Sequence, residues 1–239
     1  MTRMLIILTA LLTAAACANR DSNTGQMTPK RYMDPPANDA HWTLQTAFRI
    51  DRCEEVYEAT FAGTSVTSKP SKISLALSDD EPFAFQWLSY DGPTLICSFT
   101  LRADGTALVT NTYYYEEVEN GETVLMPEYI LAEFTPTVEE CSLLRAAIND
   151  AGVGVAPAWI AREEIFDGLQ WRMYLRVGEK TRGIRFSNAV PDRFRELMVK
   201  VFRDVCANHA EEIDAVPRTK GFVEFSGPDV FVDNSIYDD

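Results

Sequence analysis

Hydrophobic positions cluster in four early runs of the chain: EEVYEATF (54–61), KISLALS (72–78), FAFQWLSY (83–90) and TLICSFTLR (94–102). Runs of β-branched and aromatic residues bounded by turn signals predict strands. Asp91-Gly92 and Asp104-Gly105 punctuate the last two runs, and Asn120-Gly121 follows further on. Such dipeptides accept the positive φ angles of tight turns, so three hairpins are expected. Pro127 falls inside the strand after Asn120-Gly121 and cannot donate to a ladder, which pushes that strand toward an edge or a bulge.

The period then changes. Thr137-Val138-Glu139-Glu140 is a capping box, and Val138, Cys141, Leu144 and Ile148 follow at helical spacing until Gly152. Strict alternation returns in LQWRMYLRV (169–177). Leu169, Trp171, Met173, Leu175 and Val177 take one face; Gln170, Arg172, Tyr174 and Arg176 take the other. Gly178-Glu179-Lys180 turns this strand into a partner ending at Phe186. A second helix is expected from Pro191 to Asp214, with Phe194, Leu197, Val201 and Val205 as its buried stripe and Pro217 beyond its end. Strands followed by helices, without regular βαβ alternation, predict an α+β fold: an antiparallel β-sheet built from hairpins, with two main amphipathic helices packed on it.

Of 239 residues, 46% are hydrophobic and 11% aromatic, enough for a core and against a wholly disordered chain. The N-terminus has a different organisation. Met1-Thr2-Arg3 is a short basic start, Met4 to Leu12 is an apolar run, and Ala14-Ala15-Ala16-Cys17 follows. That is the layout of a bacterial secretory signal, and the run is too short to span a bilayer. The small residues ending in Cys17 resemble the lipobox of bacterial lipoproteins. The resemblance implies cleavage before Cys17 and acylation of that residue. Ala14 stands where the motif usually has Leu, and the alternative is ordinary cleavage after Ala16 or Ala18. Residues 18–40, with three prolines and almost nothing aliphatic, read as a tether spanning about 25 Å. The expected organisation is a signal peptide over 1–16, an anchor cysteine and tether over 17–40, and a single domain over 41–239 ending in an acidic tail. The expected location is the periplasm or outer membrane of a bacterium, with the membrane as a partner through the lipid.

Cys53, Cys97, Cys141 and Cys206 remain, an even number, which in an exported chain favours two disulfides over four buried thiols. A bridge between the helices, Cys141 to Cys206, and one between strands, Cys53 to Cys97, fit their predicted positions. No Cys-x-x-Cys or Cys/His spacing supports a metal, and no cofactor is expected.

The formal net charge of -14 argues against a nucleic-acid partner. Charge is also uneven. Between Arg102 and Arg145 there are nine carboxylates and no Lys or Arg; from 172 to 203, nine cations face three carboxylates, a net of +6. The plain account is that the two stretches neutralise one another or are solvated faces. The functional account takes Arg172, Tyr174 and Arg176, with Arg182 and Arg185, as a cationic surface for phosphate or carboxylate. Tyr113 and Tyr115 beside Glu116 and Glu117 suit a protein-contact surface, against ordinary strand packing of tyrosine.

Nucleophile elbows, Ser-x-x-Lys, His-Glu-x-x-His, phosphate loops and EF-hand loops are absent from the sequence; Gly63-Thr64-Ser65-Val66-Thr67 misses the first of these. Only His41 and His209 are available for imidazole chemistry. The leading expectation is a non-catalytic, lipid-tethered envelope protein that binds another envelope protein or an anionic envelope component, in an inhibitor or immunity type of role. The alternatives are a periplasmic protein binding a small ligand or lipid, and a cell-wall or lipid hydrolase with a spatial carboxylate pair.

Overall fold

The chain divides into Met1–Asn38 and Asp39–Asp239. The computed structural model describes residues 42–43, 45–47, 50–51, 65–91, 94–119, 122–162 and 169–223, all in the second unit. The leader, the tether, Cys53, the 54–61 run and the acidic tail lie outside the described residues.

Among the described residues nine strands form one sheet: β1 (Val66–Lys69), β2 (Phe83–Asp91), β3 (Thr94–Leu101), β4 (Ala107–Glu119), β5 (Glu122–Phe134), β6 (Trp159–Arg162), β7 (Leu169–Val177), β8 (Lys180–Ser187) and β9 (Thr219–Lys220), in the order β1-β6-β8-β7-β2-β3-β4-β5-β9. The α+β class and the hairpins β2–β3, β3–β4, β4–β5 and β7–β8 agree with the strand runs and turn dipeptides in the sequence. At the β3–β4 turn, Gly105 takes φ 89 and the Asp104 carboxylate accepts from the Thr106 amide at 2.9 Å. That bond and one from the Thr106 hydroxyl at 2.7 Å hold the Asp104 carboxyl below its ordinary range.

The sheet is mixed rather than purely antiparallel, because β6 pairs parallel with β8. β6 has only four residues and arrives by a crossover, so no turn signal announces it. The 72–78 run is not a strand. Its Leu75 and Leu77 are buried, but its polar backbone is tied to a helix instead of a neighbouring strand. Leu75 N–H donates to Gly154 O at 2.9 Å, Asn149 donates to Leu77 O at 3.1 Å, and Arg145 donates to the carbonyls of Ser78 and Glu81. Gly154 is required there, since a Cβ would stand 1.6 Å from Leu75 O.

Helix α1 (Val138–Asp150) begins at the expected capping box. Leu144 and Ile148 are buried, whereas Val138 is 79% exposed, so the buried stripe starts later than its apolar spacing suggests. The second helix is segmented: α2 (Asp192–Lys200), a π turn Val201–Val205, a 3-10 turn Cys206–His209 and α3 (Ala210–Asp214). The four residues of the expected stripe, Phe194, Leu197, Val201 and Val205, are all buried, and the wide turn brings Phe202 and Cys206 inward beside them, ahead of Ala210 and Ile213. Phe202 meets Trp87 edge-on at 5.7 Å, and Phe194 meets Phe186 at 4.9 Å. The helices therefore cover the face of the sheet that carries Phe85, Trp87, Phe99, Trp171, Met173 and Phe186, all buried.

Candidate functional site

The long hairpin β4–β5 sets Tyr113 opposite Glu128 and Glu117 opposite Val124. With a period of two, Tyr113, Tyr115, Glu117 and Glu128 share one face. β9 pairs with β5 through Glu128–Lys220 and Tyr129–Thr219, which lays two cations over that face. The Arg218 guanidinium lies 4.5 Å from the Tyr113 ring centroid and bonds Glu128 at 2.6 Å. The Lys220 ammonium lies 5.3 Å from the Tyr115 ring and 3.7 Å from Glu117. A bond to the Tyr115 hydroxyl and the Glu117 charge hold that ammonium above its ordinary range. The predicted contact residues Tyr113, Tyr115 and Glu117 are thus together, half-buried, under the chain's own basic strand. The side chain of Glu116 lies outside the description. Pro127 sits where a missing donor is tolerated, on a strand whose outer neighbour has only two residues.

The opposite face of the hairpin has the outward tyrosine. Tyr114 is 47% exposed, Val118 70% and Leu131 45%. Tyr114 and Val118 share parity, and Leu131 pairs with Thr110 of that same parity. Sequence reasoning picked Tyr113 and Tyr115 because they adjoin the carboxylates. It missed the β9 strand, whose two residues show no periodicity of their own.

The basic residues of β7 and β8 do not form one surface. Arg172 pairs with Arg185 across the strands and, with Arg176, faces away from the helices. Tyr174 lies between the two β7 arginines but is 1% exposed, in a small apolar cluster with Ala84, Leu88 and Leu95. Arg182 pairs with Leu175 on the helix-covered face and is itself 1% exposed. Its Nε donates to Val153 O at 3.0 Å and its Nη2 has no partner; burial pulls its proton affinity down. Arg172 lies 5.1 Å from the Tyr90 ring, whose hydroxyl pKa burial raises against the opposing pull of Arg172. In the sheet the acidic and basic stretches stand apart: β2 and β3 separate β7 from β4, about 14 Å, beyond the screening length of about 8–10 Å. The hairpin carboxylates instead pair with Arg102, Arg218 and Lys220.

A third cluster was not legible beforehand. Glu140, the last residue of the capping box, accepts from Thr137 N–H at 2.8 Å, from Asn208 at 2.7 Å and from His209 Nε2 at 3.1 Å. The His209 ring lies on Phe134 at 4.4 Å, and its Nδ1 stands 3.6 Å from Glu212. Desolvation pushes the Glu140 pKa up, but these bonds outweigh it and leave the group below its ordinary value. The arrangement orients an imidazole between two carboxylates. Cys141 and Cys206 lie near the same carboxylate, yet burial raises both thiols and so suppresses thiolate. Cys141 and Cys206 are free thiols and no two of the described cysteines stand at disulfide distance, so the Cys141–Cys206 bridge is not formed, while the expected Cys53–Cys97 bridge falls on Cys53, outside the described residues. Among the described residues there is no His/Cys/Asp/Glu group fit for a metal, and no helix is long and apolar enough to cross a membrane.

A scan against protein-family models and a search of curated proteins give no match to the chain.

Proposed function

We propose that the chain is an exported, lipid-anchored protein of the bacterial envelope that binds another macromolecule, with the β4–β5 hairpin as its contact element and a basic exported protein as its partner. The observation that carries this reading is the exposure of Tyr114, Val118 and Leu131 on a strand pair drawn from a stretch with nine carboxylates and no Lys or Arg. An exposed aromatic and aliphatic strip on a hairpin whose own sequence is strongly acidic suits a protein interface, and the net negative charge of the chain favours a partner of opposite charge. The lipobox-like leader and the tether supply the address: Cys17 carries the acyl chains, and the following residues hold the domain clear of the bilayer.

The test is in-cell crosslinking and purification from membranes, comparing the native chain with Cys17→Ala and with Tyr114→Ser/Val118→Ser. A single basic partner recovered near stoichiometrically, and reduced by both variants, is the expected result. A folded, acylated chain that captures no specific partner overturns the reading.

A further inference from the structure

The β4–β5 hairpin ends in a strand that is nearly an edge. β5 has 13 residues, and β9 pairs with only Glu128 and Tyr129 of them, with one further bond from Gly221 N–H to Pro127 O at 2.8 Å. On the side of β5 away from β4, no strand among the described residues pairs with Glu122–Met126. An unpaired strand edge is a template for another extended chain.

What already occupies the edge specifies what it prefers. Arg218 and Lys220 stand two residues apart, so both project to the Tyr113, Tyr115, Glu117 and Glu128 face. Each cation finds a ring and a carboxylate: Tyr113 with Glu128, and Tyr115 with Glu117. The same face continues along β5 with Met126, Val124 and Glu122. In the antiparallel direction of β9, positions two and four residues after Lys220 would lie over Met126 and Val124. Arg218-Thr-Lys220-Gly-Phe222 has that spacing, but Gly221 at φ 106 turns the chain, and Val223 packs instead on the Leu88, Leu95 and Tyr174 cluster.

The hold of β9 is slight. It has two residues, both exposed, and its cations are open to water, with Arg218 58% and Lys220 74% exposed. Exposed pairs of this kind are weak and salt-screened.

We propose that the outer edge of β5 is a strand-docking site for an extended segment of the partner with Arg or Lys at alternate positions followed by apolar residues, and that β9 is an internal stand-in which the partner displaces. The proposal rests on the hairpin being the contact element. It adds the mode, β-strand addition, and the pattern, basic–x–basic–x–apolar. An occupied edge lowers the apparent affinity of any incoming strand by the fraction of time β9 is away.

The test uses the full chain and a fluorescent synthetic peptide with the chain's own sequence from Val216 to Phe222. Arg218→Gln/Lys220→Gln loosens β9; circular dichroism and thermal unfolding verify its fold, and Lys220→Gln alone replaces it if the double variant does not fold. By fluorescence anisotropy, the loosened chain binds the peptide about tenfold more tightly than the native chain. Two further peptides bind neither: one with glutamate at both basic positions, and one with sarcosine in place of Gly221, which removes the donor to Pro127. Adding Glu117→Gln/Glu128→Gln to the loosened chain abolishes binding. Equal binding to the native and loosened chains, binding of the glutamate peptide, or no binding to a folded loosened chain overturns the proposal. A cellular partner that is captured through Tyr114 and Val118 while the peptide fails leaves the hairpin reading standing and removes strand docking alone.

Discussion

The Glu140 carboxylate and the His209 imidazole, 69 positions apart, meet at 3.1 Å, so the start of α1 is fastened to the end of the segmented second helix. One buried carboxylate serves both as the helix cap and as the acceptor for Asn208 and His209. Replacing it by alanine takes one acceptor each from Asn208, His209 and the Thr137 amide, and Asn208 keeps its bond to Asp204 O. Glu140→Ala is expected to cost about 1–3 kcal/mol, read as a fall of about 2–4 °C in Tm per kcal/mol in thermal unfolding. Glu140→Gln keeps an acceptor and loses less.

The pH dependence follows from the same group. Glu140 in the folded chain lies below its ordinary value of 4.5, so its stabilisation is complete above that value and fades as pH falls through the folded value. The stability gap between the native chain and Glu140→Gln narrows in acid. A gap that stays constant from pH 7 down to about pH 3 would sink this account.

Gly154 gives a steric prediction. Its missing Cβ is replaced by the Leu75 carbonyl, and backbone cannot move aside as a flexible side chain can. Gly154→Ala is expected to cost about 1–3 kcal/mol or more by forcing the 72–78 segment off the 3-10 turn Val153–Val155. The loss should appear as raised hydrogen exchange at the Leu75 amide before any change in the β2–β3 ladder.

How much of this was legible in advance depends on which force decides each element. The β7 alternation fixes faces by geometry, and Trp171, Met173 and Leu175 are buried as read. The capping box and the three hairpins are equally local, so the sequence carries them. Ile73, Leu75 and Leu77 obey the same period of two, yet that segment is latched to α1 by Arg145 and Asn149 instead of joining the sheet. Alternation says which side chains share a face; it does not say what covers it, and Tyr174 is buried for that reason. The π turn, the parallel β6–β8 pair and the two-residue β9 all depend on contacts distant in sequence, and none has a local signature. The Glu140–His209 pair is hidden in the same way, since its acid reads only as a cap.

Arg182 shows the consequence of reading charge without burial. Counted among the surface cations, it lies in the interior with one bond to Val153 and a partnerless Nη2. A buried charge with poor compensation is often replaced by an apolar residue of similar volume without loss. Arg182→Met is therefore expected to leave Tm unchanged or to raise it. A large fall would mean that the guanidinium answers a demand other than stability.

Val118 separates folding from recognition. It is 70% exposed, so Val118→Ser removes little buried surface and should change stability by no more than about 0.5 kcal/mol. On the proposed contact face the same change places a hydroxyl where an apolar centre is needed, and interface centres dominate affinity. Capture of the cellular partner should fall while the thermal unfolding curve overlays that of the native chain. Glu133→Gln is the matching control, because Glu133 already pairs with Arg102 at 3.1 Å. Losing that rim charge should slow association at low salt and leave the dissociation rate nearly unaltered. If Val118→Ser destabilises the fold as much as it weakens capture, the exposed strip belongs to the architecture of the hairpin and not to its partner.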